Sequence, residues 1–593
     1  MRCRCGGALC VMRRNDNGHR NILATELKWL YYRSRLLGEC MVSNAFVESV
    51  ETQAAIAPQA IAFEADSCCM TYGELSSASN AIAAKLREMT SDRFPIVVFG
   101  HKDFRMVASF LGCLKSGHAF VPVDVELPAS RIGDILSQLD SPFVVCAAPL
   151  SGALAPYVAT DRVLDISGFS DPAALIDAFS GCGAPASDTW VSGEETQYII
   201  FTSGSTGKPK GIEISANNVC NFMQWVRTFP VIREGGQVFL DQPPYSFDLS
   251  EYELVGALST GGRLHAVSHE LTADTRSLFA DLAKSDMSVW VSTPSFADLC
   301  LVDPSFSESM LPSVKLFLFC GEALRHATAA ALRERFPHAI VANTYGPTES
   351  TVAVTYCEIG EAELASDAPL PAGAPRPGTE IRICDPETGE PCATGDSGEI
   401  VIVGDTVAKG YYRNPEKTQK AFSQSSLCDG TQVRAYRTGD AGHVDEQGVL
   451  HCEGRFDSLI KLHGFRIELE DVEENIRALR GVKQACVVPV VHKESIAYLK
   501  AFIVLQKHPD GTPAYEELES DAADCAGCCD NGEGKVEVPS KLDLERSLKA
   551  SLAARIPEYM VPRRFALIDE MPLTPNGKID RKALAESSRS KRV

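Results

Sequence analysis

The sequence predicts an α/β protein with a large N-terminal domain of mixed sheets covered by helices and a small, mobile α+β C-terminal domain joined by a hinge. The length of 593 residues and the 45% hydrophobic content allow two or more domains with a large core. Short apolar strands alternate with amphipathic helices along most of the chain, which is typical of a sheet covered by helices. This alternation changes near Gly454, and we therefore place the hinge there.

The strands are predicted from short apolar runs. Ile96 to Phe99 is the first of them, and the helical spacing of Phe104 to Lys115 follows it. Further strands are predicted at Phe143 to Cys146, Val289 to Ser292, Lys315 to Phe319 and Ile340 to Asn343.

The chain divides into three parts. Residues 1–40 carry eight Lys/Arg against three Asp/Glu, and we interpret this basic extension as a disordered leader or as untranslated sequence before Met41, with a membrane-surface helix as the alternative. Residues 41–454 form the large domain and residues 455–593 the small one. An acidic, mobile insertion is predicted at about 515–537. Its cysteines, Cys525, Cys528 and Cys529, have no second Cys or His pair nearby, so we assign no metal to them.

Charge and cysteine usage restrict the class of protein. The net charge of −21 argues against nucleic acid as a partner. No stretch reaches the ~18 apolar residues of a membrane span, so the sequence predicts no integral membrane segment. The 21 cysteines are scattered, and we place many of them in apolar strands as reduced thiols, as at Cys146, Cys220, Cys300 and Cys486. The predicted location is the cytoplasm.

A strand and a loop of glycines, hydroxyls and lysines span residues 198–211. Gly204 and Gly207 can take positive φ without a Cβ penalty, so that successive N–H groups can face one anion. Hydroxyls and cations complete this anion-binding loop: Ser203, Ser205, Thr206, Lys208 and Lys210. It is not a P-loop, because Pro209 occupies the hydroxyl position and Lys210 to Ser215 alternates like a strand. The loop predicts nucleotide chemistry.

Five motifs, in this order, resemble the adenylate-forming superfamily of acyl and aminoacyl ligases: Thr202 to Gly211, Tyr245 to Ser250, Asn343 to Glu349, Tyr436 to Asp440 and Pro575 to Lys578. Weaker matches extend the likeness from about residue 44 to residue 585. Within the superfamily, Trp290 to Phe296, Phe306 to Pro312 and Phe317 to Glu322 are most similar to the D-alanine:D-alanyl carrier protein ligase family.

The resemblance implies two half-reactions, in which a carboxylate attacks the α-phosphate of ATP and a carrier thiol then takes the acyl group. It implies that Lys578 reaches the α-phosphate and carboxylate, that Glu349 helps bind Mg²⁺, and that Thr206 holds phosphate. The residues implied to bind ATP are Thr202, Ser203, Gly204, Ser205, Gly207, Lys210, Gly321, Asn343, Thr344, Tyr345, Thr348, Asp440 and Arg455.

The resemblance also assigns the substrate pocket and the hinge. Asp248 is implied to pair with the substrate ammonium, while Cys320 and Phe247 line the pocket. A buried carboxylate left without that partner costs roughly 3 to 5 kcal/mol, which disfavours fatty acids and acetate. Asp457 matches the hinge position, although in Ser458-Leu459-Ile460 relatives usually have Gln before the Ile.

Three functions follow as hypotheses. The first is activation of D-alanine and its transfer to the phosphopantetheine thiol of a separate carrier protein, for D-alanylation of teichoic acid. The second is a stand-alone adenylation enzyme for another small amino acid in nonribosomal peptide synthesis. The third, a catalytically silent regulator, predicts loss of Lys578, Asp440 or Glu349, and all three residues are present.

Overall fold

The computed structural model describes residues 43–65, 68–149, 156–179, 184–204, 207–366, 368–456, 459–492, 495–506, 541–573 and 579–589. Several predicted features lie outside these ranges. They are the basic extension 1–40, the insertion 515–537, and the site residues Ser205, Thr206, Asp457 and Lys578.

The described helices are, in chain order, α1 (Ala45–Ile56), α2 (Tyr72–Met89), α3 (Phe104–Ser116), α4 (Ala129–Leu136), α5 (Pro172–Ala178), α6 (Ala216–Val226), α7 (Glu251–Leu258), α8 (His269–Ala273), α9 (Thr275–Leu282), α10 (Pro294–Leu301), α11 (His326–Arg335), α12 (Glu361–Leu364), α13 (Pro415–Ala421), α14 (Leu469–Arg477), α15 (Lys541–Ala553) and α16 (Arg581–Arg589).

The described strands are β1 (Ile61–Ala65), β2 (Cys68–Thr71), β3 (Ile96–Gly100), β4 (Phe120–Asp124), β5 (Phe143–Cys146), β6 (Val163–Asp165), β7 (Thr196–Thr202), β8 (Lys210–Ser215), β9 (Val238–Asp241), β10 (Arg263–Ala266), β11 (Val289–Ser292), β12 (Leu316–Phe319), β13 (Ile340–Tyr345), β14 (Thr355–Glu358), β15 (Ala374–Pro375), β16 (Thr379–Cys384), β17 (Gly398–Gly404), β18 (Gly410–Tyr411), β19 (Phe422–Ser426), β20 (Gln432–Val444), β21 (Leu450–Arg455), β22 (Leu459–Leu462), β23 (Phe465–Glu468), β24 (Val482–His492), β25 (Ser495–Leu505) and β26 (Arg564–Leu567).

Two large mixed sheets dominate the N-terminal part. Nine strands follow the order β15-β14-β13-β12-β11-β9-β10-β1-β2, and seven follow β18-β8-β7-β4-β3-β5-β6. The central strands of both sheets are parallel, and the outer pairings are antiparallel except that the edge strand β6 is parallel to β5. Parallel strands that are covered on both faces consist of nearly continuous apolar residues, which explains why these strands could be predicted from the sequence.

One buried apolar cluster joins the two sheets through the helices between them. It contains Phe120 of β4 and Leu264 of β10, together with Ile82 of α2, Leu111 of α3 and Phe222 of α6. The hydroxyl of buried Tyr72, at the start of α2, donates to the carbonyl of Gly262 before β10 at 2.8 Å. The sheets are therefore held by a shared core as well as by the chain.

The remaining strands form three smaller sheets within the described ranges. β16, β17, β20, β19 and β21 make an antiparallel sheet, β22 pairs with β23, and β24, β25 and β26 form the third. The C-terminal residues have their own core, in which Ile467, Val472 and Ile476 pack against Leu548 and Phe565. The predicted fold class is thus confirmed, while the boundary at 454/455 stays a prediction.

The sequence-based elements are largely confirmed, with two corrections. The six predicted strands and helices coincide with β3, α3, β5, β11, β12 and β13 within one or two residues. Cys220 and Cys300, which we placed in strands, instead lie in helices α6 and α10, although both are buried and unpaired as expected. Short apolar runs do not distinguish a strand from a buried helix by periodicity. In the described part of the chain, no helix is both long and apolar enough to span a membrane.

Candidate active site

The candidate site lies where several parallel strands end. β9 ends at Asp241 and leads to the turn of Asp248, β12 ends at Phe319 just before Cys320, and β13 ends at Tyr345. The carboxyl ends of parallel strands meet at one edge of a sheet, where α/β proteins bind their ligands. The topology therefore brings together motifs that are far apart in sequence.

The anion-binding loop follows β7 as predicted. Gly207 has φ 75°, a left-handed backbone conformation that only glycine adopts easily. Gly204 does not use the positive φ that glycine allows; glycine is required there because a Cβ would collide with the carbonyl oxygen of Lys208. The hydroxyl of Thr202 is buried and has no hydrogen-bond partner among the described residues. A polar atom of this kind is suited to a ligand.

The loop is held by residues that follow the predicted hinge. The Ser203 hydroxyl donates to the Arg466 carbonyl at 2.9 Å and accepts from the Glu468 N–H at 3.1 Å. The Gly204 N–H donates to Asp471 Oδ2 at 3.4 Å. These contacts join the loop to β23 and to the start of α14.

Glu349 is a fully buried carboxylate at the centre of a cationic cluster. Its carboxylate pairs with Arg466 at 2.5 Å and with Lys210 at 3.8 Å, and it accepts from the Tyr411 hydroxyl at 2.9 Å. Burial raises the pKa of Glu349, but the charge of Arg466 and that of Lys210 outweigh it and lower the pKa to about 2. Glu349 is therefore ionised at any physiological pH.

An ionised carboxylate beside a phosphate loop fits the Mg²⁺ that the resemblance implies. Mg²⁺ prefers oxygen ligands and commonly takes one or two carboxylates together with phosphates and water. Among the described residues no group of three acidic, His or Cys side chains is arranged to hold a metal by itself. Glu349 would accordingly be a single protein ligand that acts together with the nucleotide.

Five of the residues implied to bind ATP, on strands β13, β20 and β21, lie close together. The Asp440 carboxylate accepts from the Tyr345 hydroxyl and from the Arg455 guanidinium. Behind them, the Asn343 side chain donates to the Pro371 carbonyl at 2.8 Å and the Thr344 hydroxyl to the Phe319 carbonyl at 2.7 Å. Asp440 is thus oriented by two donors, while Asn343 and Thr344 fix the backbone of β13.

A cavity of about 400 Å³ lies between Lys210, at the end of the anion-binding loop, and strands β20 and β21. Its walls carry five cations against three glutamates, so its field is positive. The cations are Lys210, Lys420, Arg437, Arg455 and Arg466. Such a cavity suits a ligand that bears phosphate.

Asp248 is a buried acid that forms no ion pair with the residues that the structure describes. Its side chain is 6% exposed, and no Lys, Arg or His of the described residues forms an ion pair with it. Burial raises its pKa to about 6, although a hydrogen bond from Thr348 and the charge of Lys461 oppose that shift. A carboxylate in this state favours a ligand that brings a positive charge.

Cys320, Gly321 and Phe247 lie next to each other beside Asp248. Burial raises the pKa of the Cys320 thiol, which donates weakly to the Val352 carbonyl at 3.7 Å. Gly321 has φ 89°, and a Cβ on it would approach Thr293 at 3.3 Å and Phe247 at 3.7 Å. These residues therefore leave a narrow space.

The β22–β23 hairpin closes this space from the C-terminal side. The Gly464 N–H donates to Glu322 at 2.7 Å, and a Cβ on Gly464 would lie 2.2 Å from Thr293. The Phe465 ring lies 6.0 Å from that of Phe247. The hairpin thus contributes a wall of the candidate acyl pocket.

A second buried acid near the pocket predicts a pH-dependent stability. Burial, reinforced by the charge of Asp248, raises the pKa of Glu251 from 4.5 to about 8. A folded-state pKa above the unfolded value means that the free energy of unfolding decreases as pH rises from 4.5 towards 8. Glu251→Gln should therefore raise the unfolding temperature relative to the wild type at pH 8.5, and the difference should shrink towards pH 5, as measured by differential scanning fluorimetry.

The control for this prediction is Glu387→Gln, which changes an exposed glutamate. Its unfolding temperature should follow that of the wild type at both pH values. A Glu251→Gln protein that is less stable than the wild type at pH 8.5 would contradict the assignment of a neutral, buried Glu251.

The sequence analysis missed several residues of this site. Glu468 and Asp471 contact Lys210 and Gly204 of the anion-binding loop, and Arg466 and Tyr411 contact Glu349. Arg466 and Glu468 are two residues apart in a strand, which places both side chains on one face. The alternation of side chains along this strand was the signal in the sequence. It does not indicate which other surface that face of the strand contacts.

The fold and the site together are those of a nucleotide-dependent activating enzyme, and the chain belongs to the AMP-binding enzyme family. The model of the family's AMP-binding enzyme domain matches residues 50–412, and that of its C-terminal domain matches residues 471–578.

Among its relatives, the D-alanine–D-alanyl carrier protein ligase of Bacillus licheniformis is 42% identical over 544 residues, which cover 91% of this chain and 99% of the relative. The ligase of the same name from Bacillus thuringiensis is 41% identical and covers 91% of this chain and 98% of its own length. The structure is also similar to that of o-succinylbenzoate CoA synthetase from Bacillus subtilis, with a TM-score of 0.72, 18% identity, and coverage of 92% of this chain and 98% of that one. At 18% identity this similarity shows a shared fold and nothing more.

Proposed function

We propose that the protein activates D-alanine with ATP as D-alanyl-AMP and transfers it to the phosphopantetheine thiol of a separate carrier protein. The observation that carries this proposal is Asp248, a buried carboxylate that has no counter-ion among the described residues. The names of the relatives, which are ligases for D-alanine and its carrier protein, support the same substrate.

The charge of the pocket favours an amino acid over an uncharged acyl group. An ionised Asp248 left unpaired is costly, and the α-ammonium of an amino acid would remove that cost. The bound ammonium would also lower the pKa of Asp248 and hold it in the charged form. Cys320 and Phe247 leave little room beyond these charges, which supports a small side chain.

In the first half-reaction a carboxylate oxygen of D-alanine forms a bond to the α-phosphorus of ATP, and the bond to pyrophosphate breaks. The loop around Ser203 and Gly204, with Lys210, would bind the phosphates that leave. Mg²⁺ held at Glu349 would neutralise developing negative charge. Lys578, which lies outside the described residues, is the residue that we expect to reach the α-phosphate and the carboxylate.

In the second half-reaction the thiol sulfur forms a bond to the acyl carbon, AMP leaves, and the thiol proton goes to solvent. Asp440 and Arg455 would retain the ribose during this step. The D-alanyl thioester on the carrier would then feed D-alanylation of teichoic acid.

The test is ATP–pyrophosphate exchange with purified protein and Mg²⁺, with D-alanine, L-alanine, glycine, D-serine and acetate as separate carboxylates. We expect a clear preference for D-alanine and no exchange with acetate, which lacks the ammonium. Preference for another amino acid would favour an adenylation enzyme for nonribosomal peptide synthesis. Absence of exchange with every carboxylate would overturn the proposal in favour of a silent regulator.

The space beside Cys320 predicts the basis of enantiomer choice. Cys320→Ala removes a buried sulfur from the lining of the proposed substrate pocket, so L-alanine should fit better. We expect the ratio of kcat/KM for L-alanine to that for D-alanine to rise about tenfold, the effect of roughly one added heavy atom of space. The exchange assay measures both values.

The matched control is Cys300→Ala, which truncates a buried cysteine in α10. It should leave the ratio unchanged even if it lowers stability. An unchanged ratio in Cys320→Ala would show that this side chain does not set the preference.

A further inference from the structure

A buried ion pair joins the two large sheets close to the candidate acyl pocket. Lys102 follows β3 of the seven-stranded sheet, and Asp241 is the last residue of β9 in the nine-stranded sheet. The Lys102 ammonium donates to the Asp241 carboxylate, and both side chains are fully buried. Because desolvation offsets the attraction within a buried pair, stability alone does not explain its presence here.

Tyr245 connects this ion pair to the turn that carries Asp248. The Tyr245 hydroxyl donates to Asp241 Oδ2 at 2.6 Å, and the Lys102 ammonium lies 3.8 Å from the centre of the Tyr245 ring. Tyr245 is 3% exposed, and both interactions are stronger where water is excluded. The side chain of Tyr245 is therefore held by a carboxylate and by a cation at once.

The backbone from Tyr245 to Asp248 is short and internally bonded. The Phe247 N–H donates to the Pro244 carbonyl at 2.8 Å, and the Ser250 N–H donates to the Phe247 carbonyl at 3.1 Å. The Ser250 hydroxyl donates to the same carbonyl at 2.8 Å. A displacement of Tyr245 would therefore move Asp248 with it.

Asp241 is the fixed end of this connection. Its carbonyl accepts from the Val267 N–H at 3.1 Å, just beyond the pairing of β9 with β10. The backbone of Asp241 thus belongs to the sheet, while its carboxylate reaches the side chain of Tyr245 four residues later. The turn is consequently tied to β9 by a side chain as well as by the chain itself.

A second acid near Lys102 does not compete for its charge. Glu253 of α7 is fully buried, and neither of its carboxylate oxygens has a hydrogen-bond partner among the described residues. Burial raises the pKa of Glu253 well above its usual value, although the charge of Lys102 opposes that shift. Glu253 is therefore neutral, and Asp241 is the acid that compensates Lys102.

We propose that Lys102 and Asp241 are positioning residues that hold Tyr245, and through it Asp248, in the place where Asp248 can pair with the substrate ammonium. They act through the turn and do not themselves contact the amino acid or ATP. This inference rests on the proposed function for the role of Asp248. It deepens that function, because it names two residues behind the pocket that determine the affinity for the amino acid.

The first test is full-length Lys102→Met, which keeps most of the length of the side chain and removes its charge. A buried carboxylate without its cation draws in water or a proton, and either change disturbs the hydrogen bond that Asp241 accepts from Tyr245. In ATP–pyrophosphate exchange we expect the KM for the amino acid to rise about tenfold, the effect of losing one hydrogen bond to a charged group. The KM for ATP should stay within about twofold of the wild-type value.

The second measurement needs no catalysis. In Lys102→Met without ligand, the backbone amides of residues 245–250 should exchange with deuterated solvent about tenfold faster than in the wild type, because the turn opens more often. Hydrogen-exchange mass spectrometry follows this segment separately from the rest of the protein.

The double variant Lys102→Met/Asp241→Asn tests the physical cause. Asparagine keeps an oxygen that can accept from Tyr245 but carries no charge that requires a cation. We therefore expect the KM for the amino acid and the exchange of residues 245–250 to return to within about threefold of the wild type. Recovery of this kind identifies the uncompensated Asp241 charge as the cause of the defect.

The matched control is Lys115→Met, which neutralises a second fully buried lysine. Lys115 lies at the opposite end of α3, where it pairs with Glu51 at 2.6 Å and donates to the Ser79 hydroxyl at 2.7 Å. This change should lower the unfolding temperature. It should leave the KM for the amino acid and the exchange of residues 245–250 near wild-type values.

A merely structural role for Lys102 predicts that Lys102→Met behaves like Lys115→Met. Equal changes in the KM values for amino acid and ATP, or unchanged exchange of residues 245–250, would overturn the inference. So would a double variant that is as defective as Lys102→Met. Should Lys102→Met fail to fold, Tyr245→Phe removes only the hydrogen bond to Asp241, and the same two measurements apply to it with an expected change of about threefold.

Failure of the proposed function has a different signature. If the wild type prefers an amino acid other than D-alanine, the proposed function falls, and the KM comparison is made with that amino acid. If no carboxylate supports ATP–pyrophosphate exchange, the proposed function also falls, and the amide exchange of residues 245–250 decides the inference.

Discussion

Asp248→Asn is expected to lower kcat/KM for amino-acid activation by about 100- to 4,000-fold. Removing one partner of a buried ion pair costs roughly 3 to 5 kcal/mol, and each 1.4 kcal/mol is a factor of about ten. Asparagine keeps the size of the side chain but leaves the substrate ammonium without its counter-charge. ATP–pyrophosphate exchange measures the loss. We expect kcat/KM to fall for the amino acid, with little change in the KM for ATP.

Glu251→Gln is the matched control, since it neutralises a buried acid three residues away without removing the predicted partner. Its exchange rate should stay close to that of the wild type. Asp248→Asn should also raise the unfolding temperature above pH 6, because burial raises the pKa of Asp248 to about 6 and the charged form destabilises the empty protein. Exchange at wild-type rates in Asp248→Asn would remove the main support for an amino acid substrate.

Glu349→Gln should lower exchange by at least about 100-fold and also destabilise the protein. The change removes the carboxylate that compensates Arg466 and Lys210, both of which are nearly buried. The pKa of Glu349 is lowered from 4.5 to about 2, so its stabilising contribution is complete above pH 4.5 and is lost only as pH falls towards 2. At pH 7.5 the wild type therefore has the full stabilising contribution of Glu349. The difference in unfolding temperature between the wild type and Glu349→Gln measures this contribution.

Loss of stability alone does not account for this expected loss of activity. Glu473→Gln also disrupts a buried pair, with Arg581, but far from the loop. We expect it to reduce the unfolding temperature while exchange continues. If Glu349→Gln retains exchange at the level of Glu473→Gln, Glu349 does not take part in nucleotide activation.

Much of the site follows from local sequence. The loop after Tyr198 combines glycines, hydroxyls and lysines in one continuous stretch, so its chemistry can be read without a structure. Asp248, Glu349 and Asp440 stand in motifs whose order identified the family, and the strands that carry them are apolar runs. The sequence could therefore predict the fold class and the kind of ligand.

The pairings between distant elements could not be predicted in the same way. Arg466 meets Glu349 across 117 residues, and Asp471 meets Arg131 across 340. Such contacts depend on how one folded surface packs against another, which no local pattern encodes. Gly204 is a local example of a contact that the sequence could not predict. Glycine is required there because the Lys208 carbonyl oxygen lies close, and not because of a positive φ.

The stack of aromatic rings at the pocket has a consequence for fidelity. Phe247 faces Phe465 at 6.0 Å, and Phe465 lies parallel to Tyr559 with ring centroids 3.8 Å apart. A bulky amino acid that pushed Phe247 outward would disturb this stack and the contact of the pocket with the C-terminal residues. The size limit of the pocket would therefore depend on Tyr559 as well as on Phe247, two residues that lie far apart in the chain.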